Sequence, residues 1–180
     1  MSEEKKVLLF IHGYGSGRDS RKFADLKSFF EQEYDCHILE WQENDDILQL
    51  LDVALKRYEG LKSMVLIGDS TGANFACQLA ERRSAANDVL ILTSPLLDID
   101  HRIADFPFPP QLKKQLTKFT PPKNALVIAS LADEVLDQTW LLGIEIPQIF
   151  KLQMVDDSHR LMKFNLYLND IKDHIDAFIN

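Results

Sequence analysis

Six short apolar runs constrain this chain more than any other feature. They are VLLFI (7–11), HILEW (37–41), MVLIG (64–68), VLILTS (89–94), ALVIAS (125–130) and IFKLQMV (149–155). Several are apolar at consecutive positions rather than at every second one. A strand with one wet face alternates. A strand covered on both faces does not, and that is the pattern of a parallel sheet. Helical spacing fills the gaps. Phe23, Leu26, Phe30 and Tyr34 mark one face, and Ile47, Leu51, Ala54 and Tyr58 a second, after the cap candidates Asn44, Asp45 and Asp46. Ala73, Ala76, Cys77 and Ala80 form a third face, small enough to lie close on a sheet. Leu161, Phe164, Leu168, Ile171, Ile175 and Phe178 step by three and four and form a fourth. The alternation predicts an α/β fold: a mostly parallel sheet of about six strands with helices on both faces. At 180 residues the expectation is one domain, 1–180.

One segment breaks the rhythm. Residues 98–122 read DIDHRIADFPFPPQLKKQLTKFTPP, longer than an ordinary connection. Pro110 suits the first turn of a short helix, with Leu112, Leu116 and Phe119 as its stripe. Two readings stand. The segment is a short cap over a pocket, with Phe106 and Phe108 as substrate-binding residues, or it is a crossover helix with rigid ends.

Charge narrows the partners. With 28 acidic and 20 basic residues the chain carries a formal −8. Such a field repels phosphate backbones, so no nucleic acid is expected. No apolar run approaches the ~20 residues that span a bilayer, so no membrane is expected either. The charged start, MSEEKK, leads into the first run without the apolar core of a leader, and the two cysteines, Cys36 and Cys77, read as small buried hydrophobes. A cytoplasmic setting is expected. No His, Cys, Asp and Glu cluster has metal-ligand spacing, so no metal is expected.

The third run ends in Gly68-Asp69-Ser70-Thr71-Gly72, and the small-residue helix follows at once. A serine on a tight strand-to-helix bend presents its hydroxyl at the carboxyl end of the sheet. The next backbone N–H, that of Thr71, then lies where an oxyanion forms. The competing reading is a turn that happens to contain serine. A serine needs a base, and the base works best when an acid orients it. Of the five histidines, His37 lies in a strand and reads as structural, and His174 reads as solvated between Ile171 and Ile175. His101 sits in the cap-like segment, where a substrate contact is open. His12 ends the first run. His159 follows the last run, at the edge where open α/β sheets build sites, and it gives the order Ser, acid, His.

The acid belongs after a strand between Ser70 and His159. Asp133 follows ALVIAS and is the choice, with Glu134 the alternative if the turn slips by one residue and Asp98 or Asp100 further candidates. Asp156 and Asp157 shape the histidine loop or add local negative charge. His12-Gly13-Tyr14-Gly15 offers the second oxyanion donor, the N–H of Tyr14. The rival for that loop, a phosphate cradle, lacks the G-x-x-x-x-G-K-[ST] spacing.

These residues resemble the α/β-hydrolase superfamily, and more narrowly the small YqiA-type esterases. The likeness lies in LLFIHGYGSG, IGDSTGA, ADEVLD and DDSHRL, in that order over nearly the whole chain. It implies Ser70 as nucleophile, Asp133 as acid and His159 as base, with Tyr14 and Thr71 as oxyanion donors. It implies a carboxylesterase acting on short acyl esters of small molecules without a cofactor. Ala132 stands where the family has glycine before the acid, Asp156-Asp157-Ser158 replaces a glycine-rich loop, and Ala73 replaces a second glycine at the elbow. Thioesters, amides and C–C bonds are open to the same three groups. A hydrolase fold reduced to a binding module is the reading of a different class.

Overall fold

In the computed structural model, residues 6–85, 87–144 and 150–179 are described. Six parallel strands form one sheet: β1 (Lys6–Ile11), β2 (Tyr34–Leu39), β3 (Val65–Asp69), β4 (Val89–Thr93), β5 (Ala125–Ser130) and β6 (Lys151–Val155). Their order is β2-β1-β3-β4-β5-β6. The helices are α1 (Arg21–Phe30), α2 (Ile47–Arg57), α3 (Thr71–Arg83), a single turn α4 (Pro110–Lys113) and α5 (Leu168–Phe178).

Alternate side chains of the central strands feed two cores. Leu9, Ile11, Leu66, Leu92 and Val127 pack against Ile47 and Leu51 of α2 and Ala73 and Ala76 of α3. Leu8, Phe10, Ile67, Ile91 and Ile128 pack against Phe23 and Leu26 of α1 and Ile171 and Ile175 of α5. Both faces are covered, which is why the runs are apolar at consecutive positions. The Asp46 carboxylate accepts from the Gln49 N–H and caps α2 as expected.

Two elements differ from the sequence expectation. The second strand begins at Tyr34, because pairing with β1 opens at Lys6 and Tyr34 and draws residues 34–36 into the sheet. Tyr34 therefore leaves the α1 stripe, although its ring still meets Phe30 edge-on at 5.7 Å. The last helical stripe is split, with a 3₁₀ turn over Phe164–Tyr167 ahead of α5, and Phe178 is exposed. Ile149 of the sixth run lies outside the described residues.

The chain builds the sheet outward from β1 to β2, then restarts on the other side with β3. Open α/β sheets bind ligands at the carboxyl ends beside such a reversal. Here that point lies between the loop after β1 and the bend after β3.

Candidate active site

Ser70 joins β3 to α3 with φ 51° and ψ −116°, a conformation an L-residue adopts only when its surroundings impose it. Its N–H donates to the Thr93 carbonyl at 2.9 Å, and its carbonyl accepts from Leu96 at 3.0 Å and Ala73 at 3.0 Å. The two glycines that flank it are sterically required. A Cβ on Gly68 would lie 2.4 Å from the Ala73 Cα, and one on Gly72 would lie 2.1 Å from the Ile11 carbonyl oxygen. The bend thus lets α3 start directly beneath the end of β1.

The structure brings Ser70, His159 and Asp133 together. His159 Nε2 lies 3.0 Å from Ser70 Oγ, and His159 Nδ1 lies 2.8 and 2.9 Å from the two Asp133 oxygens. An ionised carboxylate only accepts, so Nδ1 carries the proton and Nε2 is left to accept from the serine hydroxyl. The Asp133 side chain is 1 % exposed, and its Oδ1 also accepts from the N–H groups of Val135 and Leu136, both at 2.9 Å. Glu134 is turned elsewhere and accepts from the His159 backbone N–H at 3.0 Å. Asp98 and Asp100 pair with Lys118 instead.

Asp157 organises the histidine loop. Its carboxylate accepts from the N–H groups of Ser158, Met162 and Lys163 and from the Tyr167 hydroxyl. Burial alone would raise this carboxyl, but those donors outweigh it and hold it below the usual carboxylate value. Tyr167, shielded from solvent beside that carboxylate, is pushed up to about 12. The Ser130 hydroxyl, at the end of β5, donates to the Asp157 carbonyl and ties the acid and base loops together.

Of the predicted oxyanion donors, Thr71 follows Ser70 directly and Tyr14 belongs to the loop that packs on it. Gly13 packs against it, since a Cβ there would fall 3.1 Å from the Ser70 Cβ. Thr71 opens α3, so its N–H has no intrahelical acceptor. Among the described residues neither the Tyr14 nor the Thr71 N–H donates to a protein group. His12 fixes the loop from below. It accepts the Trp41 N–H at Nε2 (3.1 Å), donates from Nδ1 to the Gly13 carbonyl (2.8 Å) and stacks on the Trp41 indole at 5.1 Å. Burial lowers its pKa, consistent with a neutral ring whose two nitrogens are already committed.

Two clefts meet at Ser70 and His159. One, of about 500 Å³, is walled by Tyr14, Leu96, Phe106, Phe108, Val135 and Leu136. Phe106 and Phe108 both line this cleft, and Arg102 stacks over Phe106 at 4.4 Å. The 98–122 segment is anchored to α3 by Asn74, which donates to the Thr117 carbonyl at 2.7 Å and accepts its N–H at 3.1 Å. The other cleft, about 410 Å³ and more polar, runs past Gly13, Ser16, Lys22 and Asp69.

Other expectations are corrected. His174 is buried, 7 % exposed, with Nε2 2.9 Å from the Asn124 carbonyl, because position 174 lies one turn after Ile171 on the buried side of α5. Burial lowers its pKa. His101 stacks flat on Trp140 at 4.7 Å and does not reach the clefts. Cys77 is buried, but Cys36 is partly exposed. Lys22 and Trp41 were missed. For Lys22 a signal exists, since Lys22, Leu26 and Phe30 share one face at four-residue spacing. For Trp41 there is none, because its role depends on the loop after β1.

Among the described residues no group of His, Cys, Asp and Glu is arranged to hold a metal, and no helix is long and apolar enough to cross a membrane.

Comparisons with known proteins bear on the fold and the family. The chain is similar in structure to Est1E from Butyrivibrio proteoclasticus (TM-score 0.75, 16 % identity, 98 % of this chain and 89 % of that one). It is similar to a putative hydrolase of the α/β superfamily from Xanthomonas campestris pv. campestris (0.66, 20 %, 97 % and 96 %). It is also similar to the mouse α/β hydrolase domain-containing protein 10 (0.72, 13 %, 97 % and 91 %). At such identities the likeness establishes the fold. No curated protein matches in sequence. The sequence model of the Hydrolase_4 family, described as serine aminopeptidase S33, matches residues 37–140, a span that includes Ser70 and Asp133. The chain belongs to that family and is a serine hydrolase of the α/β-hydrolase superfamily.

Proposed function

We propose that the protein is a carboxylesterase that cleaves short acyl esters through an acyl-serine intermediate. The observation that carries this reading is the unbroken line of hydrogen bonds from Ser70 Oγ through His159 to the buried Asp133. His159 takes the hydroxyl proton as Ser70 attacks the ester carbonyl. Asp133 holds the ring in the tautomer that accepts and stabilises its positive form. The N–H groups of Tyr14 and Thr71 receive the oxyanion. His159 then returns the proton to the departing alcohol, and a water activated by the same ring hydrolyses the acyl-serine. The aromatic cleft beside Ser70 accepts the apolar part of the substrate, with residues 98–122 as its short cap. Thioesters fit the same machinery.

The test is a panel of p-nitrophenyl esters of rising acyl length, run on the wild type, Ser70→Ala and His159→Ala, together with labelling by a fluorophosphonate. Turnover that peaks at short chains, is lost in both variants, and accompanies labelling at Ser70 supports the reading. Ester turnover untouched by Ser70→Ala refutes it, and an unlabelled Ser70 marks a hydrolase fold without hydrolase chemistry.

A further inference from the structure

Burying a lysine is costly unless its charge is answered, and the Lys22 side chain is only 6 % exposed. Its ammonium lies 2.5 Å from Asp69 Oδ1, and the Thr93 hydroxyl donates to the same oxygen at 2.7 Å. The apolar ring of Phe164 sits 5.8 Å from the ammonium on another side.

Asp69 directly precedes Ser70. Its second oxygen faces the loop after β1, where a Cβ on Gly13 would fall 3.6 Å away. The carboxylate therefore lies between the nucleophile's own backbone and the loop that carries the Tyr14 N–H. Lys22, Asp69, Ser70 and His159 open on the same cleft. A bare carboxylate here would oppose the oxyanion and favour a protonated imidazole.

We propose that Lys22 is a positioning residue of this site: by pairing with Asp69 it removes net charge from the elbow and clamps the elbow carboxylate between α1 and β4. The proposal rests on the reading of Ser70 and His159 as the reacting pair. Several other charges around His159 are already committed. Asp133 and Glu134 bond to its ring and backbone, and Arg21 is spent on the carbonyls of residues 160–162 and on Asp25. Arg102 is spent on the carbonyls of Ala104 and Phe106. Asp157 is saturated by donors of its own loop. Asp19 and Arg160 share the polar cleft, and Asp105 and Arg160 the aromatic one. None of these substitutes for an ammonium in contact with Asp69.

The test compares Lys22→Met, Asp69→Asn and the double variant. Two readouts are used: the titration of the His159 ring by NMR, which needs no substrate, and the pH profile of kcat and KM on p-nitrophenyl acetate. Lys22→Met is expected to move the ring's titration midpoint up by about half a unit or more. It should lower kcat on the order of tenfold with KM nearly unchanged. The double variant should bring the midpoint back and recover most of the lost kcat, which a merely structural role would not do. If Lys22→Met does not fold, Asp69→Asn alone decides, since an ammonium without its carboxylate must move the midpoint down. An unmoved midpoint in these variants, or a double variant as displaced as Lys22→Met, overturns the proposal. If the wild type cleaves no ester, the esterase reading fails while the NMR titration still tests the charge pairing.

Discussion

Replacing Gly72 with alanine adds one methyl group at the most crowded of the described glycines. The new Cβ would lie 2.1 Å from the Ile11 carbonyl oxygen and 2.4 Å from that of His12. Both obstacles are backbone, so no rotamer change relieves them. To reach an ordinary contact of 3.4 Å, α3 and the end of β1 must separate by about 1.3 Å. That displacement falls between the two halves of the site, since α3 carries Ser70 and Thr71 at its start and β1 leads into Gly13 and Tyr14. A misplacement of about 1 Å in a reacting constellation costs on the order of 10²-fold in rate, so kcat/KM on p-nitrophenyl acetate should fall by about that factor. Overpacking costs ~1–3 kcal/mol, which in a domain of this size lowers Tm by roughly 2–12 °C. The assay pairs ester kinetics with thermal melts followed by circular dichroism. Gly60→Ala is the control, because a Cβ there meets nothing within 4 Å. If Gly72→Ala retains both wild-type kcat/KM and wild-type Tm, the steric account of the elbow is wrong.

Asp133→Asn keeps the shape but no longer imposes the tautomer, and kcat should drop on the order of 10³–10⁴-fold with Tm little changed, as read from ester kinetics and melts. His12 and His174 are both held below the ordinary histidine value by burial, so the folded protein binds fewer protons than the unfolded chain as pH falls. Their stabilising contribution is present above about pH 6.5 and is lost below it; thermal melts at pH 7.5 and 5.5 should show Tm falling, and a flat profile would contradict the assignment. Tyr167 runs the other way. Its raised value means stability present below about pH 10 and lost as pH climbs toward about 12, and urea unfolding should show Tyr167→Phe costing about 1 kcal/mol at pH 8 but much less at pH 11.

Much of this architecture was legible because each strand is apolar on both faces and each helix on one. The catalytic candidates were legible for a related reason. Ser70, Asp133 and His159 each follow a strand, and strand ends are visible as the points where apolar runs stop. What escaped depends on contacts between distant segments. Phe30 and Tyr34 keep helical spacing and do touch, yet pairing with β1 puts Tyr34 in a strand. Lys22 carries the charge of a surface residue, and only the fold shows that Asp69 waits behind it. His174 looked solvated because imidazole is polar, but a single carbonyl, that of Asn124, is enough to receive its N–H in the core. The sequence preferred Asp133 and left Glu134 as the alternative; the turn separates them, since the adjacent carboxylates point to different partners, one to the ring and one to the backbone of the same histidine.

Both tryptophans lie flat on a histidine, Trp41 on His12 and Trp140 on His101, with interplanar angles of 1° and 2°. An imidazole that gains a proton becomes a cation resting on an indole face. Intrinsic emission from this chain is therefore a two-channel optical gauge. Trp41 reports on the loop after β1 and Trp140 on the segment around His101, and burial of His12 moves the response of the Trp41 channel below the pH at which an ordinary imidazole charges.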